Sequence, residues 1–286
     1  MEELKKIAED IRNVLDKKRE ELRLSFVEDK HIYYILDLNG KITSKYPSVT
    51  KILKNFYEPF DANAKSLQMA KGDVEKQKKL LNEWKTAGDL STNMGSRVHF
   101  ELEKYLVDNY DNFKEVRQPL FECENDRIIK SDAMIQGGKK YLKIMEERGA
   151  IPLDTEIVLG DNKEGYVGQG DNCWLMRTSD KSEIGFLFTD WKTNQPKNFE
   201  SQWYTKKMYP PFNKYPDTAL SHYYIQIPLY GRLLKSMLKG TRYENIRFFG
   251  GVIVLLKDDG TYVEYKVPRE IKDNIMTMDL KKYLKK

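Results

Sequence analysis

The chain is predicted to fold as an α/β protein, with a central mixed β-sheet flanked by helices and helical and hairpin additions at the N-terminus. Two observations predict this. From Gly95 onward the hydrophobic pattern runs helix, helix, three strands, helix, two strands. Within that order, the polar turn Thr178-Ser179-Asp180-Lys181-Ser182-Glu183 lies midway between Asp171 and Asp190. Folding there sets the two aspartates opposite each other on neighbouring strands.

Taken in order, Leu4, Ile7, Ile11, Leu15 and Leu22 recur at near-helical spacing, so residues 2–24 form an amphipathic helix that packs on the body or binds a protein partner. His31-Ile32-Tyr33-Tyr34-Ile35-Leu36 and the segment after Asn39-Gly40 form a hairpin, and Pro47-Ser48-Val49-Thr50 introduces a helix at 51–55. Residues 62–86 are helical and lysine-rich, with Leu67, Leu80, Leu81 and Trp84 as buried positions. Lys71, Lys76, Lys78 and Lys79 make either a solvated face or a cover over the site. Asn93 is expected to cap a helix carrying His99, Leu102, Glu103 and Leu106 on one face. Residues 1–92 are therefore expected to be an accessory region and 93–286 the core. A helix at 133–148 leads to strands at 153–159, 165–177 and 183–191. A helix at 221–238 follows, with Gln226, Tyr230, Leu233 and Met237 on one stripe and Pro228 kinking it or beginning its regular part. Strands at 246–256 and 261–267 complete the pattern.

With 286 residues, 40% hydrophobic and 12% aromatic, the chain can bury the core of an enzyme-sized domain. A net charge of +5 suits an anionic partner without requiring one. Only Cys123 and Cys173 occur, too few for a disulfide framework or a four-thiolate iron–sulfur cluster within one chain, and a reducing cytoplasm is the expected compartment. No run approaches a membrane span, and the first residues lack an apolar export signal.

Side chains alternate along a strand, so Asp190 and Lys192 share one face while Trp191 takes the other. Hydrolysis of a phosphodiester needs a positioned water and relief of negative charge, which hard divalent cations supply. Asp171 and Asp190 suit Mg²⁺ as oxygen ligands. Lys192 would then help deprotonate the attacking water or orient it through charge. An Asp/Lys ladder is also what the exposed face of an antiparallel sheet carries. His99 lies one turn after Gly95, whose missing side chain leaves room beside the imidazole. Gln226 and Tyr230, four apart on a helix, can bond a phosphate, a base or their own surroundings. The segment from Trp203 to Tyr215 alternates aromatics with lysines, including Lys206 and Lys207, and suits either single-strand contact or ordinary loop packing.

Gly95-x-x-x-His99, Glu156, Gly168-x-x-Asp171, Asp190-x-Lys192-Thr193 and Gln226-x-x-x-Tyr230 occur in the order seen in RecB-type nucleases of the PD-(D/E)XK superfamily, which this region resembles from Gly95 to Tyr230. His31-x-Tyr33 and Pro47-Ser48-Val49-Thr50 look similar to phage exonucleases related to the mitochondrial genome maintenance exonuclease. The resemblance implies a restriction-endonuclease-like core and a metal bound by His99, Asp171 and Asp190. It also implies a catalytic Lys192, and a Glu156 that is an additional acidic residue or a second-metal ligand. Arg97, Thr193, Trp203, Lys206, Lys207, Gln226 and Tyr230 would contact DNA, or in the last two cases support the lysine. The cofactor would be Mg²⁺, with Mn²⁺ able to substitute and no iron–sulfur cluster. The expected function is a metal-dependent DNA nuclease, an exonuclease on free ends or single strands in recombination, replication or repair. A noncatalytic DNA-binding module and a structure- or sequence-specific endonuclease are the alternatives.

Overall fold

Helix α1 (Glu2–Leu22) turns the stripe Leu4, Ala8, Ile11, Leu15 and Leu22 inward. Three short strands follow, β1 (Leu24–Val27), β2 (Ile32–Leu36) and β3 (Ile42–Lys45), paired antiparallel in that order. The expected hairpin is β2 with β3, and β1 extends it to a sheet. Ser48 then caps α2 (Val49–Leu53) by accepting from the Lys51 N–H. The computed structural model describes residues 2–27, 32–110, 114–116, 125–200 and 206–284. His31, Cys123 and Trp203 lie outside the described residues.

The single helix expected at 62–86 is instead two, α3 (Ala62–Met69) and α4 (Val74–Asn109). Gly72, with a φ of 82°, supports the break, and the Asp73 carboxylate caps α4 by accepting from Glu75 and Lys76 N–H groups. Asn93 is not a cap. α4 runs through it for 36 residues, because Met94, Val98, Leu102 and Leu106 pack on α5 (Asn125–Glu147), and that burial outweighs the weak helix preference of Gly88 and Gly95. The boundary expected at 92/93 falls inside this helix. Leu67 is exposed, and Leu80, Leu81 and Trp84 are only half-buried.

The main sheet contains β4 (Ile151–Asp161), β5 (Tyr166–Arg177) and β6 (Ile184–Lys192), then β7 (Arg247–Leu256) and β8 (Tyr262–Lys266). Its strand order is β4-β5-β6-β7-β8, with β6 and β7 parallel and the other pairs antiparallel. Parallel neighbours need a crossover. It is supplied by the short α6 (Pro196–Phe199) and by α7 (Ala219–Met237), which Thr218 caps by accepting from Ser221 N–H. Pro228 does not begin the regular part of α7. It sits buried inside it, between Ile225, Ile227 and Leu229, whose burial sustains the helix. Helices α8 (Arg269–Thr277) and α9 (Lys281–Leu284) close the described chain, α8 packing on α7.

The sheet therefore has helices on both faces. α1, α2, α7 and α8 share one core with Phe186, Phe188 and Ile253, while α4 and α5 share the other with Trp174, Trp191 and Val254. α1 packs along β4, where Arg12 donates to Leu153 O at 3.2 Å and Arg19 donates to Val158 O at 2.8 Å. Outward carbonyls of an edge strand are thereby satisfied. The apolar face of α1 is committed to this core. Among the described residues, no helix is long and apolar enough to cross a membrane.

Candidate functional site

Phe186 and Phe188 sink into the core beneath α7, and the same face of β6 continues with Asp190 and Lys192, while Trp191 enters the α4/α5 core. The β5/β6 ladder runs as far as Asn172↔Thr189, and Asp171 and Asp190 are the next residues on the two strands. The Trp191 N–H donates to Asp171 Oδ2 at 2.7 Å. Lys192 Nζ pairs with Asp190 Oδ2, their side chains 14% and 4% exposed, so the charge has little water to lean on.

Burial, helped by the Asp171 charge, raises the Asp190 carboxyl above the usual range, against the pull of Lys192. Burial also raises Asp171, opposed by His99 and Lys192. At Lys192 burial works against the charge, but Asp190 and Asp171 outweigh it and hold the ammonium well above the ordinary lysine value.

α4 brings in His99, whose Nδ1 lies 3.5 Å from Glu156 Oε1 and 3.6 Å from Asp171 Oδ2. Burial disfavours the imidazolium, yet Asp171 and Glu156 together push His99 up to about 9. Glu156 is presented by an unusual backbone. Its φ is 46°, left-handed for a non-glycine residue inside β4, just after the register shift between Pro152 and Asp154. Such a conformation costs roughly 1–2 kcal/mol and persists only where surrounding structure imposes it. Here Thr155↔Asn172 and Ile157↔Gly170 clamp it on both sides, opposite Asp171.

His99, Glu156 and Asp171 each offer a ligand atom, all within 4.8 Å of one another, and this group could hold a metal ion. Its composition differs from the expected His99, Asp171 and Asp190. Glu156 completes it, and the Asp190–Lys192 pair lies beside it. Behind the carboxylates, the Asn172 amide, oriented to satisfy both ends, accepts from Trp191 Nε1 at 2.7 Å and donates to Thr155 Oγ1 at 3.3 Å. One buried amide thus ties the three strands that carry Glu156, Asp171 and Asp190.

Gln226 Nε2 donates to the Tyr230 hydroxyl at 2.6 Å, and Tyr230 is only 4% exposed. Tyr230 is therefore a wall of the core and not a DNA-facing surface. Gly168 makes room for it, since a Cβ there would lie 2.7 Å from Tyr230 Cε1 and 2.6 Å from Val49 Cγ2. At Gly95 a Cβ would stand 3.4 Å from Thr193 Oγ1, an ordinary contact, so the glycine is not required there by close packing. Arg97 ties α4 to α5: it donates to Asp132 at 2.6 Å and bonds Ser131, which occupies the guanidinium expected to contact DNA. Lys206 pairs with Glu58 at 2.6 Å and Asp217 at 3.7 Å, while Lys207 is exposed. Cys173 is buried.

Sequence reasoning missed Tyr223, whose ring lies under the Lys192 ammonium. Its signal was present, because Tyr223, Gln226 and Tyr230 stand at i, i+3 and i+7 on α7. No protein-family model matches this chain, and no curated protein sequence matches it.

Proposed function

We propose that the protein is a divalent-metal-dependent nuclease that hydrolyses phosphodiester bonds in DNA, acting as an exonuclease on free ends or single strands. The observation that carries this reading is the convergence of His99, Glu156 and Asp171 from α4, β4 and β5 within 4.8 Å, next to the buried Asp190–Lys192 pair. The mixed sheet with its α7 crossover suits a restriction-endonuclease-like core.

An imidazole with carboxylate oxygens fits Mn²⁺ well and Mg²⁺ acceptably, and a softer thiolate-preferring ion poorly, since Cys173 is buried elsewhere in the core. When bound, such a cation supplies Lewis acidity to a phosphate oxygen and offsets its charge. Asp171 is oriented for ligation by the Trp191 N–H. Lys192 would place positive charge where negative charge grows on phosphate, and would orient the attacking water or help deprotonate it. Asp190 keeps that ammonium in place.

The test is degradation of end-labelled single-stranded, duplex and closed circular DNA with Mg²⁺, Mn²⁺ or EDTA. Metal-dependent loss of linear substrates with intact circles is the expected result. Cleavage of circles would rule out an end-dependent enzyme, and no cleavage of any form would leave a DNA-binding module.

A further inference from the structure

Lys192 is held from two directions. Asp190 pairs with its charge along the strand, and from α7 the Tyr223 ring faces the ammonium, Nζ standing 4.5 Å from the ring centroid. A cation at that distance is attracted by the negative face of the ring. The ring is itself anchored, because its hydroxyl donates to Asn194 Oδ1 at 3.4 Å and it packs 5.8 Å from the Phe199 ring. Asn194 and Phe199 belong to the segment leaving β6, so the chain that carries Lys192 also fixes the ring beneath it.

We propose, on the basis of the nuclease reading above, that Tyr223 is a positioning residue that fixes the Lys192 ammonium for phosphate through a cation–ring contact. The choice of a ring has a chemical reason. An ammonium has three N–H donors on a stem with four rotatable bonds. A further carboxylate would restrain it but would consume a donor and add negative charge where a phosphate must enter. A ring face attracts the cation while leaving donors for phosphate oxygens. Tyr223 stands in a site already crowded with Asp171, Asp190 and Glu156, where uncharged restraint is the better solution.

The experiment uses the full chain with ¹³C-labelled lysine side chains, Lys192→Met assigning the resonance. In wild type, the Lys192 Cε protons should be shifted upfield by the ring current. The shift should persist in Tyr223→Phe and vanish in Tyr223→Leu. Single-turnover cleavage of end-labelled DNA should fall about tenfold in Tyr223→Leu and less than about threefold in Tyr223→Phe, with DNA affinity unchanged. A wild-type Lys192 resonance without an upfield shift would overturn the proposal, as would equal losses in the two variants. If wild type cleaves nothing with any metal, the nuclease reading fails and takes the catalytic purpose with it. The resonance still decides whether the ring holds the lysine.

Discussion

Glu156 and Asp171 face each other across β4 and β5, and both carboxylates approach the same imidazole nitrogen, at 3.5 and 3.6 Å from His99 Nδ1. Two like charges are brought together there, beside a backbone angle that a non-glycine residue rarely adopts. In the cation-free fold the His99 imidazolium offsets that pairing, and a bound cation would take its place between the carboxylates. Asp171→Asn should therefore weaken Mn²⁺ binding about tenfold or more, a loss of about 1.4 kcal/mol or greater, measured by calorimetry on the folded variant. Unchanged affinity would remove Asp171 from the ligand set.

The strain at Glu156 can be separated from its charge by comparing two variants that both lack the carboxylate. Glycine adopts a φ of 46° freely and alanine does not. Glu156→Gly should be more stable than Glu156→Ala by about 1 kcal/mol in chemical denaturation. Equal stabilities would mean that the backbone relaxes once the side chain is gone.

Lys192→Ala should reduce turnover about 100-fold or more, because a fixed cation opposite developing negative charge is lost. DNA affinity should stay within about threefold, since phosphate contacts are dispersed over a binding surface. Single-turnover rates and filter binding on the same samples read both quantities. A variant with wild-type turnover would defeat the assigned role.

Gly168→Ala should lower stability by about 1–3 kcal/mol. A Cβ would stand 2.6 Å from Val49 Cγ2 and 2.7 Å from Tyr230 Cε1, and both neighbours belong to the packed core. Equilibrium unfolding in urea tests this, and a neutral result would show that α2 and α7 can move apart at little cost.

His222 gives a pH dependence outside the metal group. Its Nε2 lies 2.7 Å from Asp217 Oδ1 and its ring stacks on Tyr57 at 3.8 Å. Burial lowers its pKa below the usual 6.5 in spite of Asp217. The unfolded chain therefore takes up this proton at a higher pH than the folded one. The contribution of His222 is intact above about pH 6.5 and is lost as pH falls below it. Between about pH 7 and about pH 5 the melting temperature of wild type should fall more steeply than that of His222→Gln. A steeper fall in the variant would reverse the sign and refute the assignment.

Much of the site was legible in sequence because its rules are local. A polar turn midway between Asp171 and Asp190 and the two-residue alternation of a strand were enough to set those aspartates opposite each other and Lys192 beside the second. The same locality misled at Asn93. A plausible capping residue was taken for a helix start, although packing of Met94 to Leu106 on α5 carries α4 straight through it.

From the amino-acid order alone came the α/β alternation, the facing aspartates and the shared face of Asp190 and Lys192, because turn position and side-chain period depend only on neighbouring dihedral angles. Tertiary structure alone decided how closely His99, Glu156 and Asp171 converge, and that Tyr223 lies under the lysine. Those contacts join segments remote in sequence, and their distances are set by how α4 and α7 pack on opposite faces of the sheet and by one left-handed residue in β4.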